Sequence, residues 1–130
     1  MNYSPVSSAP SQHFLVVEPD PVFRLLLCVA LAGQFSDFHA VASFGEARAL
    51  LAEHEFSAVI AEYHLPGGTG VSLYEYARRV SAGMPLILMC GGDPIALPDP
   101  HFRFFAKPFG LSEFAEVLAE MIAASPARES

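Results

Sequence analysis

Five short runs of apolar residues, separated by segments with helical spacing, constrain the fold of this chain more than any other feature. Each run is nearly continuous in apolar character, which is typical of parallel strands that are buried on both faces of a sheet. Strict alternation of such strands with helices predicts an α/β fold built on a doubly wound parallel sheet. The five runs are residues 14–18, 38–42, 56–62, 85–90 and 102–106.

The segments between the runs, and the one after the last run, predict four helices. Asp20 and Pro21 supply an N-cap and a first-turn proline for the first helix. Ser43 and Glu46 have the spacing of a capping box for the second helix. The apolar residues that recur at one-face spacing are Val22, Leu25, Leu26 and Val29 in the first helix, Ala47, Leu50 and Leu51 in the second, Leu73, Tyr76, Ala77 and Val80 in the third, and Phe114, Val117, Leu118, Met121 and Ile122 in the last.

The segment between the fourth and fifth runs breaks this alternation. Residues 91–101 contain three prolines and two glycines, and each interior proline costs a helix about 3 kcal/mol. We therefore expect the helix at this point to be shortened or replaced by a proline-rich loop. Ile95, Ala96 and Leu97 within the loop either fold back over the core or form an apolar docking patch.

Length and composition predict one domain with a single core. Of the 130 residues, 52% are hydrophobic and 16% are charged, which suits a compact protein whose sheet is covered on both faces. Residues 13–124 hold all of the predicted elements. Residues 1–12 and 125–130 lack periodicity, so we expect a disordered N-terminal tail and a C-terminal tail or linker stub.

Charge and hydropathy argue against several classes of partner. The formal net charge of −7 disfavours direct binding of nucleic acid, since proteins that bind it usually carry a basic face. No apolar stretch approaches the ~20 residues of a membrane span, and the start of the chain lacks the pattern of a secretory signal. We therefore expect a cytoplasmic protein with no membrane partner. Cys28 and Cys90 are expected to be buried free thiols rather than parts of a disulfide framework or a metal cluster.

Lys107, the only lysine of the chain, comes directly after the last apolar run. Glu18 and Glu62 each stand where another apolar run ends. Because the carboxyl ends of parallel strands share one edge of a doubly wound sheet, the three side chains should meet there. A buried ammonium without an anionic partner is very costly. The sequence therefore predicts a small charged pocket in which Lys107 is neutralised by Glu18 and Glu62.

Four segments, in this order, resemble the receiver domain of bacterial two-component response regulators. They are residues 15–21 (LVVEPDP), 59–70 (VIAEYHLPGGTG), 85–90 (PLILMC) and 107–109 (KPF). Any one of them is a weak signal, but four at the strand ends of the expected fold form a specific one. The resemblance covers residues 13–124 and implies a flavodoxin-like, receiver-type sheet of five strands in the order 2-1-3-4-5.

The resemblance also implies roles for single residues. In the family, an aspartate at the third strand accepts a phosphoryl group from a histidine kinase, and two acids after the first strand hold Mg²⁺. Here Glu62 stands at the phosphoacceptor position, and the acid pair is replaced by Glu18 followed by Pro19. A hydroxyl and a lysine contact the phosphoryl group in the family, and Cys90 and Lys107 occupy those two positions.

These substitutions weaken the chemistry that the family performs. Phosphoryl transfer needs an aligned nucleophile and a divalent ion that bridges oxygens. Glu62 carries its carboxylate up to about 1.5 Å further out than an aspartate, and the thiol of Cys90 is a poor donor to an oxyanion. Because Pro19 has no carboxylate, Glu18 and Glu62 are only weak candidates for metal ligands, with Asp20 as an outer helper. We expect weak Mg²⁺ binding at best and no other cofactor.

Two positions keep alternative interpretations. Glu62 is either a built-in mimic of an aspartyl phosphate, which holds an active-like state through Lys107, or an acid retained only to neutralise Lys107. Phe104 matches the family's switch aromatic, which moves between buried and exposed positions. Its core-like neighbours Phe102 and Phe105 favour a permanently packed side chain instead.

The resemblance implies an atypical receiver, or pseudo-receiver: a protein-interaction module of bacterial two-component or phosphorelay signalling that is not an enzyme and in which Glu62 is not phosphorylated in the ordinary way. The expected partners are a histidine kinase, an effector domain or a second copy of the chain. One alternative is a receiver that still accepts a phosphoryl group through a relaxed Mg²⁺ site. Another is a small flavodoxin-like cofactor binder, although the acidic loop at residues 18–21 lacks the nest that a phosphate requires. A redox role for Cys90 beside Lys107 is a further alternative.

Overall fold

The computed structural model describes residues 13–32 and 37–125, so the expected tails at 1–12 and 126–130 lie outside the described residues. Ser125, the first residue assigned to the C-terminal tail, is buried, and its hydroxyl donates a hydrogen bond to the carbonyl of Gly83 (3.1 Å). The elements, in chain order, are β1 His13–Val17, α1 Pro21–Ala32, β2 Asp37–Val41, α2 Phe44–Glu53, β3 Ala58–Glu62, β4 His64–Leu65, β5 Gly68–Thr69, α3 Gly70–Val80, β6 Leu86–Cys90, β7 Phe102–Ala106 and α4 Leu111–Ala123.

The predicted sheet is confirmed. Five strands form one sheet in the order β2-β1-β3-β6-β7, and every pairing within it is parallel. Strands β4 and β5 form a separate antiparallel hairpin, so β6 and β7 are the fourth and fifth strands of the sheet and the order is the expected 2-1-3-4-5. The winding reverses between β1 and β3, which places the crevice of a doubly wound fold at the carboxyl ends of these strands.

Helices cover both faces of the sheet. Along β1, Leu15 and Val17 point into the core beneath α2 and α3, whereas Phe14 and Val16 point into the core beneath α1 and α4. All four side chains are completely buried, and burial of an apolar side chain of this size stabilises the fold by about 1.5–3 kcal/mol. The near-continuous apolar character of the strands is thus explained by burial on both sides.

The apolar spacing in α1 does not mark the face that packs on the sheet. The four residues with this spacing lie on one face of the helix, and their exposed fractions are 67%, 63%, 48% and 64%. The buried residues of α1 are Leu27 and Leu31 instead. Arg24 is the only charged residue in this helix, so apolar residues lie all around it and more than one face fits a hydrophobic pattern. The four exposed residues are Val22, Leu25, Leu26 and Val29.

The capping box that was predicted for α2 is present. Ser43 is the N-cap, and its side-chain oxygen accepts a hydrogen bond from the backbone N–H of Glu46 (3.3 Å). The carboxylate of Glu46 accepts in return from the hydroxyl of Ser43 (3.1 Å) and from the N–H of Ala42 (3.0 Å). No helix within residues 13–32 and 37–125 is long and apolar enough to cross a membrane.

The proline-rich segment at residues 91–101 contains no helix, as predicted. Ile95 and Leu97 are half-buried and pack against the core beneath α2 and α3, while Ala96 between them is exposed. Of the two expectations for this stretch, the one in which it folds back over the core is therefore confirmed.

Asp99 anchors the same segment to α3. Its Oδ2 accepts hydrogen bonds from the hydroxyl of Tyr74 (2.6 Å) and from Nε of Arg78 (2.7 Å). The guanidinium of Arg78 also donates to the backbone carbonyls of Met84 (2.7 Å) and His101 (3.2 Å). One arginine thus joins α3, the segment before β6 and the loop before β7. These contacts hold the loop in place without a helix.

Candidate functional site

The predicted charged pocket is present at the carboxyl edge of the sheet. The ammonium of Lys107 lies 2.6 Å from Oε1 of Glu62 and 2.8 Å from Oε1 of Glu18. The side chains of Glu18 and Glu62 are only 3% and 10% exposed, and that of Lys107 is 25% exposed. The three charges are therefore largely shielded from water. An ion pair in a shielded site is stronger than one at the surface, but it is also costly to break.

Strand register explains why the three residues meet. Glu62 is the last residue of β3, Glu18 directly follows β1, and Lys107 directly follows β7. The backbone ladder continues one step past two of these strands, since the N–H of Glu18 donates to the carbonyl of Val41 (3.0 Å) and the N–H of Lys107 donates to that of Cys90 (2.9 Å). The backbone of each residue is thus held by a neighbouring strand before its side chain makes any contact.

Each carboxylate uses its second oxygen as well. Oε2 of Glu18 accepts a hydrogen bond from the N–H of Asp20 (3.0 Å), and Oε2 of Glu62 accepts one from the N–H of His64 (3.1 Å). Arg24 donates from its guanidinium to the backbone carbonyl of Glu18 (2.7 Å). Both acids are therefore oriented by backbone groups, and Lys107 meets two carboxylates that are already fixed.

Phe23 is a third contact of the lysine. Its ring centroid lies 4.5 Å from the ammonium of Lys107, within the range of a cation–π interaction. The ring also packs edge-on against Phe109 (5.8 Å between centroids). Sequence reasoning missed Phe23. The available signal was its place in the first turn of the helix that follows Glu18, which brings it over the same edge of the sheet.

The pairing determines the protonation state of the lysine. Burial lowers the pKa of Lys107, but hydrogen bonding and attraction by Glu18 and Glu62 outweigh burial and raise the pKa above its ordinary value. The side chain of Lys107 therefore carries its charge at neutral pH while it contacts Glu18 and Glu62. The structure thus confirms the ion pairing that the sequence predicted.

Asp20 has a different role from the one suggested for an acidic pocket. It is exposed, and its Oδ1 accepts hydrogen bonds from the N–H groups of Val22 (2.9 Å) and Phe23 (3.4 Å). This is the geometry of a helix N-cap, which typically stabilises a helix by about 1 kcal/mol. The carboxylate of Asp20 thus caps α1 and does not pair with Lys107, although its N–H contributes to the pocket through Glu18.

Cys90 ends β6, and Phe104 lies in the middle of the neighbouring strand β7. Cys90 is a free thiol at the end of β6, 5% exposed, and its sulfur accepts a hydrogen bond from the N–H of Gly92 (3.3 Å). Cys28, the other free thiol, is half-buried rather than buried. Phe104 is half-buried and packs against the core beneath α2 and α3, which agrees with the interpretation of a packed aromatic.

The residues of the pocket do not fit Mg²⁺. An ammonium already lies between Glu18 and Glu62 in contact with both, and the remaining oxygen of each acid accepts a backbone N–H. Pro19 offers no carboxylate, whereas Mg²⁺ requires near-ideal octahedral oxygen ligation. Among the residues that the structure describes, no group of three or more His, Cys, Asp or Glu side chains could hold a metal ion.

Two glycines shape the loop after Glu62. Gly67 has a φ of +86°, which favours glycine, and it forms the turn between β4 and β5. Gly70 begins α3 and donates its N–H to the carbonyl of Tyr63 (2.7 Å). A Cβ at Gly70 would overlap the side chain of Leu88 and the carbonyl of Glu62. The loop therefore packs directly against the backbone that carries Glu62.

Comparison with known proteins agrees with this fold. No protein-family model matches the chain. The response regulator protein PilR of Pseudomonas aeruginosa is 28% identical over 113 residues, which are 83% of this chain and 25% of PilR. The chain thus spans about a quarter of the length of this curated relative.

Solved structures give the same result for the fold. A response regulator receiver protein from Sinorhizobium medicae superposes with a TM-score of 0.81 at 17% identity, over 88% of this chain and 96% of that protein. A CheY-like receiver domain from Methanospirillum hungatei has a TM-score of 0.81 at 20% identity, over 88% of this chain and 95% of that protein. The predicted resemblance to receiver domains is confirmed.

Proposed function

We propose that this chain, which has the fold of a response regulator receiver domain, is an atypical receiver that works as a protein-interaction module and is not phosphorylated in the ordinary way. One observation carries the proposal: the ammonium of Lys107 is held by Glu62 at 2.6 Å and by Glu18 at 2.8 Å. By the family resemblance, Lys107 is the group that would contact a transferred phosphoryl, and here the chain's own carboxylates hold it.

The nucleophile position supports the same proposal. Both oxygens of Glu62 are engaged, one by Lys107 and one by the N–H of His64. In-line attack requires a free oxygen at a fixed distance and angle from phosphorus. An attack by Glu62 would need these contacts to break, and it would leave the lysine with Glu18 alone.

The positions that would neutralise a phosphoryl group are changed as well. Catalysis of phosphoryl transfer consists largely of positioning and charge stabilisation. Pro19 adds no negative charge for a divalent ion, and the sulfur of Cys90 accepts a hydrogen bond from Gly92. We therefore assign no catalytic residue and no cofactor to the pocket.

The alternative of a still-competent phosphoacceptor makes the opposite prediction for one assay. The chain is incubated with Mg²⁺ and beryllofluoride and followed by amide NMR, and separately with acetyl phosphate and followed by intact mass. We expect neither a mass increase nor large shifts around Glu62, Cys90 and Lys107. Stable phosphorylation, or large shifts at Glu62, would overturn the proposal.

A restored variant serves as the matched control. Glu62→Asp, Pro19→Asp and Cys90→Thr together return the acceptor, the second acid and the hydroxyl to the positions that the family uses. This variant should respond to beryllofluoride and Mg²⁺, whereas the unaltered chain does not. A flavodoxin-like cofactor binder is tested on the same preparation, because a bound flavin would colour the purified protein.

Partners of this module are proposed on the same basis. A histidine kinase, an effector domain or a second copy of the chain would each bind through a surface rather than through chemistry at Glu62. The net charge of −7 disfavours nucleic acid as a direct partner, and a cytoplasmic location is part of the proposal. Binding to a candidate kinase should then be unaffected by removal of Mg²⁺, which isothermal titration calorimetry measures.

A further inference from the structure

Three of the five histidines of the chain meet at the amino end of the sheet, opposite the Lys107 pocket. His13 is the first residue of β1, His39 lies in the middle of β2, and His54 directly follows α2. The ring centroids are 4.8 Å apart for His13 and His39, 5.3 Å for His39 and His54, and 6.1 Å for His13 and His54. We refer to these three residues as the histidine cluster.

One contact within the histidine cluster depends directly on protonation. Nε2 of His13 lies 2.7 Å from Nδ1 of His39, a hydrogen-bond distance. Such a bond requires that one nitrogen carries a proton and the other does not. When both rings are fully protonated, two N–H groups face each other and two positive charges stand in contact. The bond therefore exists only while at least one of the two rings is neutral.

The surroundings of the histidine cluster offer little compensation for added charge. The ring of Phe56 packs against all three imidazoles, with centroid distances of 4.7, 5.8 and 6.1 Å. The groups that favour a charge on His13 are the carboxylate of Asp37 on β2 and the backbone carbonyl of Glu55. Burial acts most strongly against it, followed by the charges of the two neighbouring histidines, so the pKa of His13 is below its ordinary value.

The histidine cluster also joins separate elements. His13 pairs with Asp37 in the register of β1 and β2. The backbone of His13 also forms two hydrogen bonds with Ser57, the residue directly before β3: the N–H of His13 donates to the side-chain oxygen of Ser57 (3.2 Å), and the carbonyl of His13 accepts from the N–H of Ser57 (2.7 Å). Strand β2 is an edge strand, and β1 is the strand of the sheet with which it pairs. Repulsion between His13 and His39 therefore acts on the seam that holds the edge strand to the sheet.

We infer that the histidine cluster is a proton-controlled latch: it holds β2 against β1 while the rings share a proton, and it loosens this edge when His13 and His39 are both protonated. The latch is closed at neutral pH and opens in mildly acidic solution. It is a conformational device at the end of the sheet away from Lys107, and it does not depend on the proposed function of that pocket.

The first test follows amide hydrogen exchange by NMR at about pH 5.5, where an ordinary histidine is mostly charged. His39→Gln keeps a hydrogen-bonding side chain but cannot take up the charge, and His64→Gln, at the other end of the sheet, is the matched control. Amides of β2 should exchange several-fold more slowly in His39→Gln than in the unaltered chain and in His64→Gln, while amides of β6 should be equal in all three. Equal exchange of β2 in the three proteins overturns the latch.

A second measurement needs no variant and therefore does not depend on the folding of one. The imidazole signals of the unaltered chain are followed by NMR from about pH 8 to about pH 5. We expect the signal of His13 to titrate below the ordinary histidine pKa of about 6.5, together with shifts of the β2 amides over the same pH interval. Titration of His13 at or above the ordinary histidine pKa, or β2 amides that do not move with His13, overturns the inference.

Discussion

The two ends of the sheet accommodate ionisable groups in opposite ways. At the carboxyl end one cation faces two acids, so the charges of Lys107, Glu18 and Glu62 compensate one another. At the amino end three imidazole rings lie together, and the hydrogen bond between His13 and His39 requires that one of these two rings is neutral. Charge is thus tolerated at one end because it is paired, and at the other end it is disfavoured on His13 by burial and by the neighbouring histidines.

The two solutions predict different responses to pH. A paired lysine with a raised pKa contributes stability that is fully present below about pH 10.4, the ordinary pKa of lysine. This stability is lost only when the pH rises through the pKa of the lysine in the folded state, which is higher still. A histidine with a lowered pKa behaves differently, since the unfolded chain binds its proton more readily. Stability from His13 is therefore lost as the pH falls below about 6.5. Near neutral pH, the amino end is the sensitive one.

The largest expected effect is that of Lys107→Met, which removes compensation from the carboxyl end. We expect the free energy of unfolding at neutral pH to fall by about 3 kcal/mol, because Glu18 and Glu62 are left buried and facing each other. The loss should shrink in acid, where the carboxylates can take up protons. Urea denaturation from about pH 4 to pH 8 measures both effects.

Arg103→Met is the control for this variant, because Arg103 lies on β7, the strand that Lys107 directly follows, but is exposed and donates to the backbone carbonyls of Pro100 and Phe102. Its effect should stay within about 0.5 kcal/mol. Identical denaturation midpoints for Lys107→Met and the unaltered chain across the pH range would mean that the carboxyl end does not depend on pairing.

Asp99→Asn should have the next largest effect and provides a reference away from both ends. The change weakens the bonds with Tyr74 and Arg78 and is expected to cost about 2 kcal/mol in thermal unfolding. Burial raises the pKa of Asp99, but bonds from Arg78, Tyr74 and the N–H of His101 outweigh it and lower the pKa. The contribution is therefore present above about pH 4 and is lost as the pH falls through the folded value.

The exposed Asp93, in the same proline-rich segment, is the matched control for Asp99. Asp93→Asn should leave the melting temperature nearly unchanged. If both variants behave alike, the anchoring of the segment to α3 does not contribute to stability.

Glu62→Gln removes one of the two carboxylates that pair with Lys107 at the carboxyl end. Glu18 still neutralises Lys107 in this variant, so we expect a loss of only about 1 kcal/mol. The variant also separates the two interpretations of Glu62. A phosphate mimic requires that the NMR signals of Phe104 shift when the charge is removed, whereas a simple neutraliser requires that shifts remain close to Glu62. Glu18→Gln, which keeps Glu62, is the control for loss of one carboxylate.

The smallest effect is expected for His54→Gln at the amino end. His54 is exposed and lies further from His13 than His39 does, so its charge adds less repulsion. Because the charge of His54 contributes to the lowered pKa of His13, the unaltered chain should lose slightly more stability than His54→Gln between about pH 7.5 and pH 5.5, by less than about 0.5 kcal/mol. The difference in urea midpoints measures this loss of stability. A larger loss in the variant than in the unaltered chain would contradict repulsion between His54 and His13.

Much of the fold could be predicted because its strongest signals are local. Apolar runs buried on both faces, an N-cap at Asp20 and a capping box at Ser43 each act within a few residues, and all are present. Lys107 and its two acids were predictable for a related reason. Each follows an apolar run, and parallel strands bring their carboxyl ends together without any further information.

The remaining features depend on tertiary position. The apolar residues of α1 lie all around the helix, so spacing alone does not tell Leu27, which is buried, from Leu25, which is 63% exposed. Phe23 meets Lys107, and Asp99 meets Arg78, only because separate elements pack against each other. Contacts between residues distant in the chain leave no periodic trace in the sequence.

Glu18 links the pocket to the start of the first helix through its two carboxylate oxygens. One of its carboxylate oxygens holds Lys107, the other holds the backbone of Asp20, and Asp20 in turn starts the helix. A rotation of this single side chain would leave the lysine with Glu62 alone and would free the N–H of Asp20 in the same step. A partner that displaces the beginning of α1 would therefore also change the contacts of Lys107, although Lys107 lies 89 residues along the chain from Glu18. The linkage consists of only two side chains.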